Sequence, residues 1–529
     1  MEGSGVRITE LLAALSFGAD LGLGHPTEHV LRQTYIALHL GERLGMEVQE
    51  REVVYYASLL AWLGCHIDAY EQAKWFGDDQ VLKRDAAYID AADAVSTVAF
   101  LLRHIGDGRP LAERLKAGVG FLAEGRHDLD QMYENHWRAA SALSEDLGLS
   151  DAIRDSVAQT FERWDGKGEP DGLKGEDVLL SARLVHLADV AAVFYHTGGV
   201  SAAVDVTRAR SAGQFDPALV VLFETEADEI FTQLEQLTTW DAVMGKVPSV
   251  GQELSDDELD QVLAAVADFV DLKSPYTLGH SRGVAELAAG ASAELGADTR
   301  TARRAGLVHD LGRMGVANTV WDKRGPLTAG EMERVRLHPY YTDRVLASVP
   351  ALACLAPVAA QHHERLDGSG YPRGSSAESL TPEGRVLAVA DCYHAWSEPR
   401  PYREALDADA IAARLRDEVK AGRLDGAAVD AVLRAAGHRV RRSREWPASL
   451  TAREVEVLRH LARGMSSQQI AERLVISRKT ASNHIEHIYA KIRRLQPGNG
   501  EPVRDPARPA LNCFANMGRT PHALGRISP

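Results

Sequence analysis

An internal repeat limits what this chain can fold into more than any other feature. The segment Glu162-Arg-Trp-Asp-Gly-Lys-Gly-Glu-Pro170 returns, altered, as Glu364-Arg-Leu-Asp-Gly-Ser-Gly-Tyr-Pro372, an offset of 202 residues. The same offset carries His136 to His338, Arg183 to Arg385 and Asp189 to Asp391. One register held over more than fifty residues implies two copies of one domain. Val284, Leu287, Ala288, Ala291 and Leu295 follow His280 at i, i+3, i+4 and i+7 spacing, so the copies read as helical. The expected fold class is all-α, with tandem helical domains followed by a small helix-turn-helix bundle.

At 529 residues the chain exceeds one ordinary domain, and 45% hydrophobic with 25% charged residues marks it as globular. Cys65, Cys354, Cys392 and Cys513 are scattered and form no C-x-x-C, which excludes a disulfide framework or zinc ribbon and fits a reducing cytoplasm. There is no succession of a signal peptide and no uninterrupted apolar stretch of about eighteen residues, so a soluble protein with no membrane partner is expected. The formal net charge of −16 argues against nucleic acid, yet residues 450–495 carry nine Lys/Arg against four Asp/Glu. A basic run of Arg439, Arg441, Arg442 and Arg444 precedes them, so only the C-terminal end suits a polyanion.

The two copies differ in chemistry. In the second, six short patches supply imidazoles and carboxylates of the kind a two-metal phosphohydrolase needs: His280, His309-Asp310, His338, His362-His363-Glu364, Asp391 and Arg400-Pro-Tyr-Arg403. The adjacent His309 and Asp310 would diverge by about 100 degrees on a helix, letting the carboxylate bridge two ions while the imidazole binds one. A donor set without thiolate favours iron or manganese, with zinc admissible. Thr328-x-x-Glu331 is a capping box opening a helix toward His338, and Thr381-Pro382 opens the helix that carries Asp391. In the first copy His29, His136 and Asp189 remain, but Ala61-Trp62 and Thr160-Phe161 stand at the other ligand positions, so that lobe is read as degenerate. The segment from Pro217 to Trp240 reads as a connecting helix that transmits signals or simply packs.

The run His362-His-Glu-Arg-Leu-Asp-Gly-Ser-Gly-Tyr-Pro372, with the patches around it, closely resembles the HD-GYP branch of the HD phosphohydrolases, associated with cyclic di-GMP breakdown. The resemblance implies that His280, His309, Asp310, His338, His362, His363 and Asp391 ligate two divalent metal ions. It also implies that Asp310 and Arg313 are catalytic. Gly368, Gly370, Tyr371, Arg400 and Arg403 are expected to contact the cyclic dinucleotide. Arg313 stands where the family has lysine, and Thr342, where it has glycine, is expected to narrow the pocket. Tyr276 stands where some members carry a glutamate for a third ion, which favours a two-metal centre. A domain that binds the nucleotide but turns it over poorly, controlling transcription as a receptor, is the alternative that Arg313 keeps open.

Near the C-terminus, Thr451-x-x-Glu454, Gly464, Ser466 or Ser467, and Ser477 punctuate three short amphipathic helices. Leu450-Thr-Ala-Arg-Glu-Val-Glu-Val-Leu458 and Gln469-Ile-Ala-Glu-Arg-Leu-Val-Ile-Ser477 resemble the LuxR family. That resemblance implies double-stranded DNA as a partner, with Arg478, Lys479, Thr480, Asn483 and His484 at the major groove and Lys491 on phosphates. A homodimer is left open. The expected division is a degenerate HD-like lobe at 1–212, a connecting helix and linker at 213–255, and an HD-GYP domain at 256–436. A basic linker at 437–449, the helix-turn-helix at 450–495 and a flexible tail at 496–529 complete it.

Overall fold

The computed structural model describes residues 5–66, 68–248, 253–438, 452–461, 465–474 and 476–493, the side chains of 66, 70–71, 122–137, 452–453, 455, 459, 461 and 489–493 excepted. The described chain is all-α, with isolated bridges such as Arg400–Arg403 in place of strands.

The first lobe is built on helices Ile8–Leu23, His29–Arg43, Val48–Leu60 and Leu180–Ala209. Its core includes Leu12, Leu31, Tyr35, Ile36, Leu59 and Leu187. The second lobe repeats the plan with Asp256–Asp271, His280–Leu295, Thr299–Val308, His338–Ala347 and Pro382–Trp396. Small residues let its helices close up. A Cβ on Gly306 would lie 2.6 Å from the Ala285 Cα, so that crossing requires glycine. The apolar residues of both lobes form one continuous core, and burying each large aliphatic or aromatic side chain stabilises the fold by about 1.5–3 kcal/mol.

The repeat is visible atom by atom. Glu28 (φ 73) and Gly279 (φ 76) both turn through the left-handed region to launch the helices that begin at His29 and His280. Asp20 accepts the backbone N–H of His29 and Val30, and Asp271 accepts that of Ser281. Glu162 accepts the N–H groups of Asp171 and Leu173, as Glu364 accepts those of Arg373 and Ser375.

The connecting segment folds as Pro217–Gln236 and Thr239–Met244. It packs: Leu219, Phe223 and Ile230 are buried in the first lobe, and Phe231 stacks on Tyr195 at 3.8 Å. By length and composition one described helix, Leu180–Ala209, is apolar enough to cross a bilayer, but it breaks at Gly198–Gly199 and its first half carries the buried Asp189.

A short helix of the first lobe, Asp79–Ala86, clamps the second from behind. Asp79, fully buried, accepts the N–H of Asn318 at 2.9 Å, and lies 3.2 Å from Lys83 Nζ and 3.8 Å from Lys273 Nζ. Beside it Arg334 donates to Asp78, and Gln80 donates to the Met314 carbonyl.

Three helices, Ala452–Leu461, Ser467–Leu474 and Arg478–Arg493, form the C-terminal unit around Val457, Ile470, Ala471, Ala481 and Ile488. The hydroxyls of Ser466 and Ser477 accept the N–H of Gln469 and Thr480, as the capping pattern predicts. Thr451, the basic linker from Arg439, Gly464 and the tail at 496–529 lie outside the described residues.

Candidate metal centre

Every side chain of the cage but Asp391 sits at a helix end or turn, where local structure fixes its direction. His280 begins its helix, while His309 follows Thr299–Val308 and hands over at Asp310 to the 3-10 turn Leu311–Gly315. His309 and Asp310 thus diverge at a helix terminus, and not within a helix as the adjacency argument assumed. The capping box at Thr328 forms, with the Glu331 carboxylate 2.7 Å from the Thr328 N–H. That helix stops at Arg336, and His338 opens the next one, ahead of Pro339. Asp391 rides the helix capped by Thr381.

Seven groups converge. His280 Nε2 lies 3.3 Å from Asp391 Oδ1 and 3.9 Å from Asp310 Oδ2. His309 Nε2 lies 3.6 Å from Asp310 Oδ2, and His338 and His362 Nε2 lie 3.4 and 3.7 Å from Asp310 Oδ1. His363 Nδ1 is 3.6 Å from Asp391 Oδ2. Asp310 therefore reaches opposite sides of the cluster with its two oxygens, as a bridging carboxylate does.

The imidazoles are held as acceptors. The Nδ1 atoms of His309, His338 and His362 lie 2.6–2.7 Å from the carbonyls of Gly306, Val335 and Ala359. A carbonyl only accepts, so each Nδ1 carries the proton and each Nε2 presents a lone pair to the interior. Two of those lone pairs, on His338 and His362, face each other at 2.9 Å, and His309 Nε2 is buried without a hydrogen-bond partner. This donor-poor, acceptor-rich interior fits divalent cations. Electrostatics agree: burial and the neighbouring imidazoles push His362 down to about 3. Burial opposes ionisation of Asp310, but His309 and Arg313 outweigh it and hold the carboxyl well below the usual range. His362 and Asp310 are thus in the forms a metal binds at neutral pH. Burial opposes protonation of His280, but the Asp391 and Glu398 carboxylates outweigh it and raise its pKa to about 9, so an ion there would displace a proton.

A cavity of about 350 Å³ opens over the cage, lined by Tyr276, Arg313, Trp321, Tyr371, Trp396, Arg400 and Arg403 among others. Arg313 donates to Asp310 Oδ2 at 3.1 Å and lies over the Trp321 ring at 4.0 Å. Arg400 donates to the Tyr276 carbonyl at 2.6 Å and to Glu398 at 3.2 Å. Arg403 spends its guanidinium on backbone carbonyls, including those of Trp396 and Glu398. Gly368 and Gly370 are not on this wall. A Cβ on Gly370 would lie 2.5 Å from Arg365 N and the Glu364 Cα, so this glycine shapes its own loop. Thr342 does not narrow the pocket: its hydroxyl accepts the Gly312 N–H and donates to the His309 carbonyl, tying the His309 turn to the His338 helix.

Glu398 escaped the sequence reading. Its Oε2 lies 3.2 Å from His280 Nδ1, with His394 Nδ1 at 3.7 Å, so it orients a ligand whose Nδ1 has no carbonyl beneath it. Its place two residues before Arg400 was the available signal. Among the described residues the first lobe holds no equivalent cage. His29 Nε2 closes onto Asp189 at 2.9 Å, and Trp62 packs edge-on against Phe161 with ring centroids 5.6 Å apart, filling the space with carbon. His136 lies on Leu111–Asp146 with its side chain outside the description.

In the C-terminal unit Arg478, Lys479, Thr480 and Asn483 are exposed on the first turns of the third helix, and His484 is half-buried. Lys491 is on the same helix, its side chain undescribed.

Comparison with known proteins agrees with this architecture. The model of the HD domain family matches residues 126–219 and 264–428, one segment in each lobe, and that of the bacterial regulatory proteins of the luxR family matches 448–494. The chain is 30% identical over 418 residues to the 3'3'-cGAMP-specific phosphodiesterase 3 of Vibrio cholerae, covering 78% of this chain and 91% of that protein. It is 29% identical over 187 residues to a cyclic di-GMP phosphodiesterase of Thermotoga maritima, covering 34% of this chain and 45% of the relative. A crystal structure of a cyclic GMP-AMP-specific phosphodiesterase of V. cholerae superimposes with a TM-score of 0.57 at 26% identity, over 82% of this chain and 98% of that one. The chain belongs to the family of HD-domain cyclic dinucleotide phosphodiesterases, and it carries a LuxR-type segment at its C-terminal end.

Proposed function

We propose that the chain is a metal-dependent phosphodiesterase of the HD-GYP class that opens cyclic di-GMP to a linear dinucleotide or GMP, coupled to a DNA-binding regulator. The observation that carries the reading is the single cage of His280, His309, Asp310, His338, His362, His363 and Asp391, with imidazole lone pairs turned inward. Two divalent ions, iron or manganese, would supply an activated water and neutralise charge on the phosphoryl oxygens. The chain's own groups do the rest. Arg313 places a fixed positive charge beside Asp310, where charge develops on the reacting phosphate. Arg400 is held at the rim by Glu398 and the Tyr276 carbonyl, suited to the second phosphate, and Tyr371 and Trp396 offer rings to the bases. On the regulator, Arg478, Lys479, Thr480, Asn483 and His484 would enter the major groove while Lys491 meets phosphate.

The long match to the 3'3'-cGAMP-specific relative makes that mixed dinucleotide the competing substrate. A receptor reading draws on Arg313, whose contact with Asp310 Oδ2 competes with an ion for the same oxygen. Purified protein loaded with manganese or iron is incubated with cyclic di-GMP and, separately, with 3'3'-cGAMP, and the nucleotides are followed by chromatography beside His309→Ala. Conversion of cyclic di-GMP by the wild type alone is expected. Faster conversion of 3'3'-cGAMP would reassign the substrate, and binding without turnover of either would favour the receptor.

A further inference from the structure

Two helices of the first lobe carry apolar side chains on both sides. Ala94–His104 and the start of Leu111–Asp146 form a hairpin, held where Arg114 donates to the carbonyls of Leu102 and Arg103 at 2.8 and 2.6 Å. Its inner side packs Phe100, Leu101, Ile105 and Phe121 against Trp75, Phe76 and Leu82. Its outer side presents Val95, Val98 and Leu102 from one helix and Leu111, Leu115 and Val119 from the other, each 55–78% exposed. A helix that is apolar all round belongs in an interior, so the outer side is a face that calls for cover.

The patch is large and concentrated. Among the described residues the other large apolar side chains more than half exposed, Val221, Leu237 and Tyr402, stand singly. At their exposures the six aliphatic side chains present on the order of 700 Å² of apolar surface, above the few hundred that a lone soluble chain usually shows and near the ~800 Å² that each partner gives to a stable complex.

Charge and symmetry select the occupant. With a formal net charge of −16 the chain repels its own copy and anionic lipid alike, except where charge is missing. From Ala94 to Leu102 no residue is charged. The exposed side chains are all aliphatic, and Ala94–His104 carries one arginine, not the Lys/Arg face and aromatic anchors of a helix that lies in a membrane surface. Leu111 and Val119 stand four residues to either side of Leu115, so a two-fold axis through Leu115 lays this row on its own copy with an aliphatic side chain against each. We propose that the outer face of this hairpin is a two-fold interface through which two copies of the chain form a dimer, with Leu115 at its centre.

Sedimentation equilibrium of the full chain reads the assembly, and a dimer at micromolar concentration is expected. Leu102→Glu combined with Leu115→Glu would bury carboxylates from both copies in an apolar contact, so it should raise the dissociation constant at least tenfold, at unchanged helicity by circular dichroism. Val221→Glu, at a position on another helix that is 64% exposed as Leu115 is, should leave the constant within twofold. Leu115→Cys tests the axis without adding charge: under mild oxidation it should give a covalent dimer that neither the wild type nor Val221→Cys gives. The interface is overturned if the full chain is monomeric, if the paired glutamates leave the dimer intact, or if Leu115→Cys stays unlinked. Pelleting of the chain with vesicles of anionic lipid, abolished by the same glutamates, would assign the face to a membrane and overturn it as well.

Discussion

Direction, at the scale of single residues, is set by what lies behind each ligand. His309, His338 and His362 are aimed by carbonyls three residues back, a device their own helices supply. His280, first in its helix, has no such carbonyl and borrows Glu398 instead. Outer partners of metal ligands set affinity by about 10–100-fold. Glu398→Gln should therefore lower metal affinity by a factor in that range, measured by competition with a chelator, while circular dichroism stays that of the wild type. Unchanged affinity would show that His280 is aimed by something else. The seven inward groups were legible in sequence because each belongs to a spaced motif, whereas Glu398, Thr342 and Gly370 act through contacts that appear only once the loops close.

Among elements, the helix Asp79–Ala86 decides how the lobes meet. Lys273 and Lys83 outweigh the burial that opposes ionisation of Asp79 and hold its carboxyl below the usual range, while burial pushes Lys273 down to about 8, still mostly protonated at neutral pH. Removing one partner of such a buried pair leaves its mate uncompensated. Asp79→Ala should cost about 3–5 kcal/mol in denaturant unfolding. Because the folded carboxyl titrates below its unfolded value of about 3.9, this stabilisation is complete above that value and is lost only as pH falls through the lower folded one. An Asp79→Ala chain of wild-type stability at neutral pH would remove the clamp from the account. The helix Arg478–Arg493, proposed to enter the major groove, carries a second expectation. Lys479→Ala should weaken duplex binding and relax its sequence preference, as loss of a base-edge contact does. Equal shifts of promoter fragments by both proteins in a gel would contradict it. Helices and caps were readable from periodicity and Ser/Thr/Asp punctuation, but the packing of Pro217–Gln236 into the first lobe was not, since an apolar stripe does not say which neighbour covers it.

Over the whole molecule, the repeat explains why one lobe carries the cage and the other supports it. The same turn geometry at Glu28 and Gly279, and the same loop staple at Glu162 and Glu364, persist in both lobes. Trp62 and Phe161 fill the first with carbon, and the second lobe's histidines surround an interior that lacks donors. Sequence alone showed the repeat and the ligand positions at which its copies differ, because ligand loss is visible residue by residue. It did not reveal the clamp between the lobes, whose partners Asp79 and Asn318 are more than two hundred residues apart. The central claim is that the second lobe is a two-ion cage. Elemental analysis of the full chain after reconstitution with manganese tests it most directly: about two ions per wild-type chain, with His309→Ala holding fewer than half as many at unchanged helicity, is the predicted result. A wild-type chain that stays empty, or a His309→Ala chain that fills equally, would contradict it.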